Sequence, residues 1–184
     1  MERQAARFDA QCDLAALVYR APNDADRLLR RFADALTGRR YRVVGLIQAR
    51  LAHGGSAVTV LPTGEVIPLF KTPGPSRLCD LAEAAARVGA SIEVGADLLV
   101  INRFGGLEAQ GSGLVDEITR ATARDIPVVV AVPEHRFSEW LSFCGGMTVR
   151  LACQDGSLQY WWDTMIVGER LLTRRFRTSQ WPSH

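Results

Sequence analysis

Ala96-Asp97-Leu98-Leu99-Val100-Ile101-Asn102-Arg103-Phe104-Gly105-Gly106-Leu107-Glu108 is the stretch whose reading decides the fold. Leu98 to Ile101 is an unbroken apolar run, the pattern of a strand buried on both faces of a parallel sheet. The run stops at Asn102 and Arg103 and passes into Gly105-Gly106. Open parallel sheets bind ligands in the crevice beyond the carboxyl ends of their strands. Asn102, Arg103, Gly105, Gly106 and Glu108 are therefore candidates for ligand contact.

Outward from this strand, buried runs alternate with helical stripes. Leu14-Ala15-Ala16-Leu17-Val18-Tyr19 reads as the first strand. Leu28, Leu29, Phe32, Ala33 and Leu36 follow at helical spacing, with Asn23 or Asp24 as N-cap and Gly38 as the stop. Val43 to Ile47 is a second strand, ending at Gln48, and Pro62-Thr63-Gly64 turns a hairpin between Ala57 to Leu61 and Glu65 to Leu69. Lys71-Thr72-Pro73-Gly74-Pro75 is a connecting loop. From Asp80 a helix carries Leu81, Ala84, Ala85 and Val88, and Ser112 caps another with Leu114, Val115, Ile118 and Ala121. Ile126 to Val132, closed by Pro133, is a further doubly buried strand. Phe137, Trp140, Leu141 and Cys144 share a core-facing helical face, Met147 to Ala152 forms an edge strand, and Leu158 to Val167 closes the domain with Trp161 and Trp162. The pattern predicts an α/β protein of three layers, a mainly parallel sheet with helices on both faces. Right-handed crossovers place Tyr19, Gln48, Asn102 and Pro133 at one edge.

A chain of 184 residues suits one domain. Residues 14–168 are read as that domain, 1–13 as an N-terminal extension, and 169–184 as a basic tail holding Arg170, Arg174, Arg175 and Arg177. A net charge of +2 gives no electrostatic case for nucleic acid. No apolar run reaches the ~20 residues of a membrane span, and Met1 to Leu14 is too polar for a signal peptide. A cytoplasmic location without a membrane partner is expected. Cys12, Cys79, Cys144 and Cys153 form no Cys-x-x-Cys pair and read as reduced thiols. His53, beside Gly54-Gly55, reads as a solvated loop residue.

Strand, tight turn and helix is the setting of a phosphate loop in a nucleotide-binding βα unit. Such a loop needs glycines to cradle phosphates, a lysine to reach them and Ser or Thr for magnesium. Arg20-Ala21-Pro22-Asn23-Asp24-Ala25-Asp26 has none of these, and Lys71 is the only lysine in the chain. Asp24 and Asp26 complement the helix dipole instead and repel polyphosphate.

The layout of Leu14 to Leu36, Tyr41 to Gln48, Pro62-Thr63-Gly64-Glu65, Ala96 to Glu108 and Pro127 to Val132 resembles the small P-loop nucleoside-triphosphate phosphatases first described in thermophiles. That family carries an Asp-Glu-Ile-Gly-Lys-Met-Glu segment where this chain has Asn102-Arg103-Phe104-Gly105-Gly106-Leu107-Glu108. The resemblance implies that Asn102 replaces the magnesium-binding Asp and Arg103 the neighbouring Glu, the general base, while a glycine and Glu108 remain. The Walker A and Walker B motifs are degenerate by this comparison. Asn-Arg-Phe-Gly-x-Leu-Glu-Ala also looks like a bacterial family of such degenerate proteins, often encoded near molybdate-handling and nitrogen-fixation genes.

An arginine in place of an acidic pair favours an anion over a cation, since guanidinium offers a planar, permanently charged set of donors. The reading is a non-hydrolytic, P-loop-derived ligand-binding or regulatory protein for a small oxyanion or nucleotide, linked to molybdenum metabolism. Its ligand contacts are Tyr19, Asn23, Asp24, Gln48, Asn102, Arg103, Gly105, Gly106 and Glu108, with Glu108 orienting Arg103 or accepting from the ligand. No catalytic residue, metal ligand or cofactor is assigned. Against this stands an ordinary surface ion pair of Arg103 with Glu108 or Asp97. Two other classes compete: a nucleoside-triphosphatase whose relocated carboxylates Asp24, Asp26 and Glu108 meet at one crevice, and an adaptor or homo-oligomer using Trp161, Trp162, Trp181 and the tail.

Overall fold

A computed structural model describes residues 12–51, 55–69 and 75–166, with the backbone alone described at residues 22–23 and 75–79. His53, the 71–74 stretch, most of the expected N-terminal extension, the arginine tail and Trp181 lie outside the described residues. The elements are β1 (Leu14–Tyr19), α1 (Pro22–Gly38), β2 (Val43–Arg50), β3 (Ser56–Leu61), β4 (Glu65–Leu69), α2 (Pro75–Val94), β5 (Leu98–Ile101), α3 (Gly106–Ala109), α4 (Val115–Thr122), β6 (Val128–Pro133), a 3-10 turn (Glu134–Arg136), α5 (Phe137–Phe143) and β7 (Val149–Ala152). A last helix, α6, occupies residues 157–166.

The strands form one seven-stranded sheet in the order β4-β3-β2-β5-β6-β1-β7. From β2 to β7 all neighbours are parallel, and β3 and β4 fold back as an antiparallel extension. The unbroken apolar run of β5 follows from its central place. Leu99 and Ile101 pack with α2 and α4 on one face, whereas Leu98 and Val100 pack with α1 and α6 on the other. Parallel pairing of Tyr19 with Pro133, Ile101 with Val130 and Leu46 with Ile101 brings Tyr19, Gln48, Asn102 and Pro133 to one edge. The chain is therefore the three-layer α/β protein that its pattern indicates. Among the described residues no helix is long and apolar enough to cross a membrane.

Several local expectations are corrected. Helix α1 starts at Pro22, and its N-cap, Ala21, makes no side-chain cap bond, so neither Asn23 nor Asp24 caps it. Proline suits the first helical position because its missing N–H needs no partner there. The same residue type opens α2 at Pro75, earlier than Asp80. Helix α4 is preceded by Leu114 and not capped by Ser112, because the backbone of residues 106–109 first makes the short α3. On α5 only Trp140 is fully buried, and Leu141 is 37% exposed. Trp161 and Trp162 are core residues, packed in the α1 layer with Phe32 and Tyr41 nearby, so they offer no adaptor surface.

Gly45 lets the central strands close up. It lies opposite Val100 at φ +141°, and a Cβ there would stand 1.9 Å from the Val100 carbonyl oxygen. Gly45→Ala forces β2 away from β5 and is expected to cost at least about 3 kcal/mol. Gly38→Ala, with open space around it, should change stability by less than about 1 kcal/mol. Urea unfolding of the two variants checks this, and equal midpoints would show that β2 and β5 are not packed this closely.

Candidate functional site

The carboxyl edge is built around Asn102, which is 3% exposed. Its backbone N–H continues the ladder to the Leu46 carbonyl at 3.3 Å. Its side chain then takes over from the backbone. Oδ1 accepts from the Gln48 N–H at 2.8 Å, and Nδ2 donates to the Gln48 carbonyl at 2.7 Å. The second Nδ2 proton goes to Asp26 Oδ1 on α1, also at 2.7 Å. Both amide donors and the carbonyl are thus used within the fold, tying β5, β2 and α1 together.

Glu108 is 7% exposed and is similarly engaged. Its Oε2 accepts from the Gly105 N–H at 2.8 Å and its Oε1 from the Leu114 N–H at 3.2 Å, so it braces the loop around α3. Gly113, at φ +66°, is needed beside it, since a Cβ there would lie 2.1 Å from Glu108 Oε1. Asp97 accepts from the Arg42 N–H at 2.6 Å, at the amino end of β5. A strand of this length puts roughly 13 Å between its ends. Neither carboxylate is the ion-pair partner considered for Arg103.

Arg103 sits between two buried residues, Asn102 and Phe104. Phe104 donates its N–H to the Ala131 carbonyl at 2.8 Å and packs edge-on against Trp140, which holds the Arg103 backbone still. The guanidinium is in no ion pair within 4.0 Å among the described residues. Its Nε is buried and has no hydrogen-bond partner among them. A buried donor without a partner carries a desolvation cost of about 1–3 kcal/mol.

Two titratable groups feel this arginine. Burial raises the Tyr19 phenol above its usual range, and Arg103 opposes that rise. Burial also raises Asp26, against the Asn102 hydrogen bond and the charges of Arg103 and Arg30. Asp26 stands outside the expected ligand contacts and enters the site through its bond to Asn102. A signal was present: Asp26, Leu29, Ala33 and Leu36 share the inward stripe of α1, so a carboxylate there faces the sheet.

Tyr19, Gln48, Asn102 and Arg103 therefore gather with Asp26. Gln48, Asn102, Arg103, Gly105, Gly106 and Glu108 border one cavity of about 550 Å³ on the α2 and α4 face. Asp24 and Tyr19 border another of about 540 Å³, beside β7 with Arg20, Glu134 and Arg150. Arg20 donates to both Glu134 oxygens, which holds that carboxyl below its usual range. The carboxylates Asp24, Asp26 and Glu108 do not share a crevice: Asp24 and Glu108 line different cavities, and Asp26 bonds to Asn102. The Asn23 side chain lies outside the described residues.

A family described as "Protein of unknown function (DUF2478)" matches residues 14–161, from β1 into α6. The chain belongs to that family. This DUF2478 chain is also 36% identical, over 160 residues, to a protein of Bradyrhizobium diazoefficiens named molybdenum import ATP-binding protein ModC 2. The match covers 81% of the chain and 18% of that protein, so the chain spans less than a fifth of the relative's length. No solved structure matches the chain significantly.

Asp26 makes the DUF2478 fold sensitive to pH in a defined direction. Because its folded pKa is raised, the native state holds a proton that the unfolded chain, titrating near ~3.9, has released. Stability from this group is therefore lost as pH rises through that window and stays low at neutral pH. Asp26→Asn keeps an acceptor for Asn102 and removes the titration. In urea unfolding the variant should gain on wild type at pH 7, and the gain should shrink at pH 4. A difference that is the same at both pH values would contradict the placement of Asp26.

Proposed function

We propose that this chain is a non-hydrolytic ligand-binding or regulatory protein on a P-loop-derived scaffold, taking a small oxyanion or a nucleotide in a molybdenum-linked setting. The observation that carries the proposal is Arg103. It stands at the carboxyl edge of the central strand, on an immobilised backbone, with a buried Nε that no described residue meets. α/β sheets present ligand groups at that edge, and a guanidinium with free donors recognises oxygen anions.

The lack of hydrolysis rests on chemistry at two places. The turn from Arg20 to Asp24 has no glycine, lysine or hydroxyl to hold and neutralise a transferred phosphoryl group. At the end of β5 the Asn102 amide is bonded within the fold, and both Glu108 oxygens are engaged by N–H groups of the loop, so both side chains serve the fold. By this reading both Walker motifs have degenerated while the scaffold persisted. The molybdenum setting is supported by the printed name of the Bradyrhizobium relative.

Thermal unfolding with molybdate, sulfate, phosphate and ATP tests the proposal, alongside phosphate release from ATP and GTP with magnesium. At least one anion should raise the unfolding temperature, and phosphate release should stay at background. Arg103→Ala should weaken the stabilising anion about ten-fold or more, from the loss of a charge-assisted hydrogen bond of roughly 1.5–3 kcal/mol. Arg103→Lys should restore part, because a point charge lacks the guanidinium fork. An unaltered wild type in every anion would remove the binding reading, and steady release that survives repurification would restore the hydrolase.

A further inference from the structure

The cavity that Arg103 borders is larger and more apolar than a bare oxyanion requires. Its walls are Leu46 of β2, Val58 of β3, Leu69 of β4, Leu81 of α2 and Ile101 of β5, with Leu107 of α3 and Leu114 just ahead of α4. Its volume, about 550 Å³, lies in the range of about 300–1,000 Å³ found for pockets holding small organic ligands. Each water-sized oxygen needs about 30 Å³, so a tetrahedral oxyanion would leave most of the space empty against apolar walls.

The charges at the mouth limit the ligand further. Among the described lining residues Arg103 is the one cation, and Glu108 is the one carboxylate. Glu108 already accepts two backbone N–H groups, yet its negative charge remains nearby. One guanidinium beside one carboxylate neutralises a single negative charge at most, and a polyphosphate would be left uncompensated. The cavity is also separate from the β1–α1 turn, none of whose described residues lines it. A ligand here does not use the place where nucleotide-binding βα units hold phosphates. Polar groups come from Gln48 and Gln110, besides the glycine backbone at Gly105 and Gly106.

We propose that this cavity binds a singly charged organic anion, its carboxylate or equivalent oxygen pair on Arg103 and an apolar, ring-sized body against Leu46, Val58, Leu69, Leu81 and Ile101. This rests on the reading that Arg103 receives an anion, and it puts an organic carboxylate in this cavity in place of the small oxyanion or nucleotide of that reading. Gly105 and Gly106 leave room for the charged end to approach the backbone. Gln48 and Gln110 supply hydrogen bonds for polar atoms on the ring.

The test uses four probes on the intact chain: sulfate, acetate, benzoate and 1-naphthoate, with affinities from calorimetry and thermal unfolding. Affinity should rise from acetate through benzoate to 1-naphthoate, by at least ten-fold overall. Leu81→Gln and Leu107→Gln, both at half-buried wall positions, should each weaken 1-naphthoate at least ten-fold and leave acetate and sulfate unchanged. Arg103→Ala should weaken 1-naphthoate as well. Equal affinities for acetate and 1-naphthoate, untouched by the wall variants, would overturn this inference while leaving Arg103 as an anion site. Tight 1-naphthoate binding that survives Arg103→Ala would overturn it too, since the charge would then play no part. No binding of acetate, benzoate or 1-naphthoate would overturn this inference, and the reading beneath it falls only if molybdate, sulfate, phosphate and ATP also leave the wild type unaltered.

Discussion

The side-chain amide of Asn102 is the constraint on which the carboxyl edge depends. Strand β5 is only four residues long, while its neighbour β2 runs on to Arg50. Past Ile101 the Gln48 N–H and C=O would have no strand beside them. The Asn102 amide meets both, as a peptide unit would, and uses its remaining proton on Asp26. Only a group with one acceptor and two donors satisfies that geometry. An aspartate would turn two acceptors toward the Gln48 carbonyl and the Asp26 carboxylate, and like charges at that separation raise each other's pKa or part. With Asp26 in place, an acid at this position is excluded by local electrostatics, apart from any question of catalysis.

The charges around it follow. Asp26 is half-buried and held in a raised state of proton affinity, so a cation nearby is stabilising, and Arg103 supplies it without closing to a contact pair. The same guanidinium stays clear of Glu108, whose oxygens are tied to the loop through Gly105 and Leu114. Two acidic groups that could have absorbed the arginine are thus committed elsewhere, Glu108 to backbone N–H groups and Asp26 to the Asn102 side-chain amide. What remains is a cation at the strand edge, bordering an apolar cavity.

The fold was legible in the sequence because both faces of β5 and β6 are buried, which leaves Leu98 to Ile101 and Val128 to Val132 without a polar residue. The hairpin was legible from Pro62-Thr63-Gly64. The starts of α1 and α2 were not: Asn23 or Asp24 reads as the cap of α1 and Asp80 as the start of α2, yet the helices open at Pro22 and Pro75. Helix α3 has four residues, too short for any period. At the site, the position of Arg103 could be read from the end of the apolar run. Its surroundings could not, since the Asn102–Asp26 bond joins residues 76 apart and depends on how α1 lies on the sheet. The part played by Glu108 was hidden for a different reason: a buried carboxylate bracing backbone N–H groups has the same sequence as one aimed at a ligand.

The central claim is that the Arg103 Nε–H waits for an anion. Nitrogen-15 NMR of the arginine Nε–H signals observes that proton directly, and the Arg103→Lys spectrum assigns it by the signal that disappears. On titration with 1-naphthoate and with phosphate, the Arg103 Nε–H resonance should move downfield as the guanidinium gains an oxygen acceptor. If that resonance is unmoved by every anion, the anion site is not there.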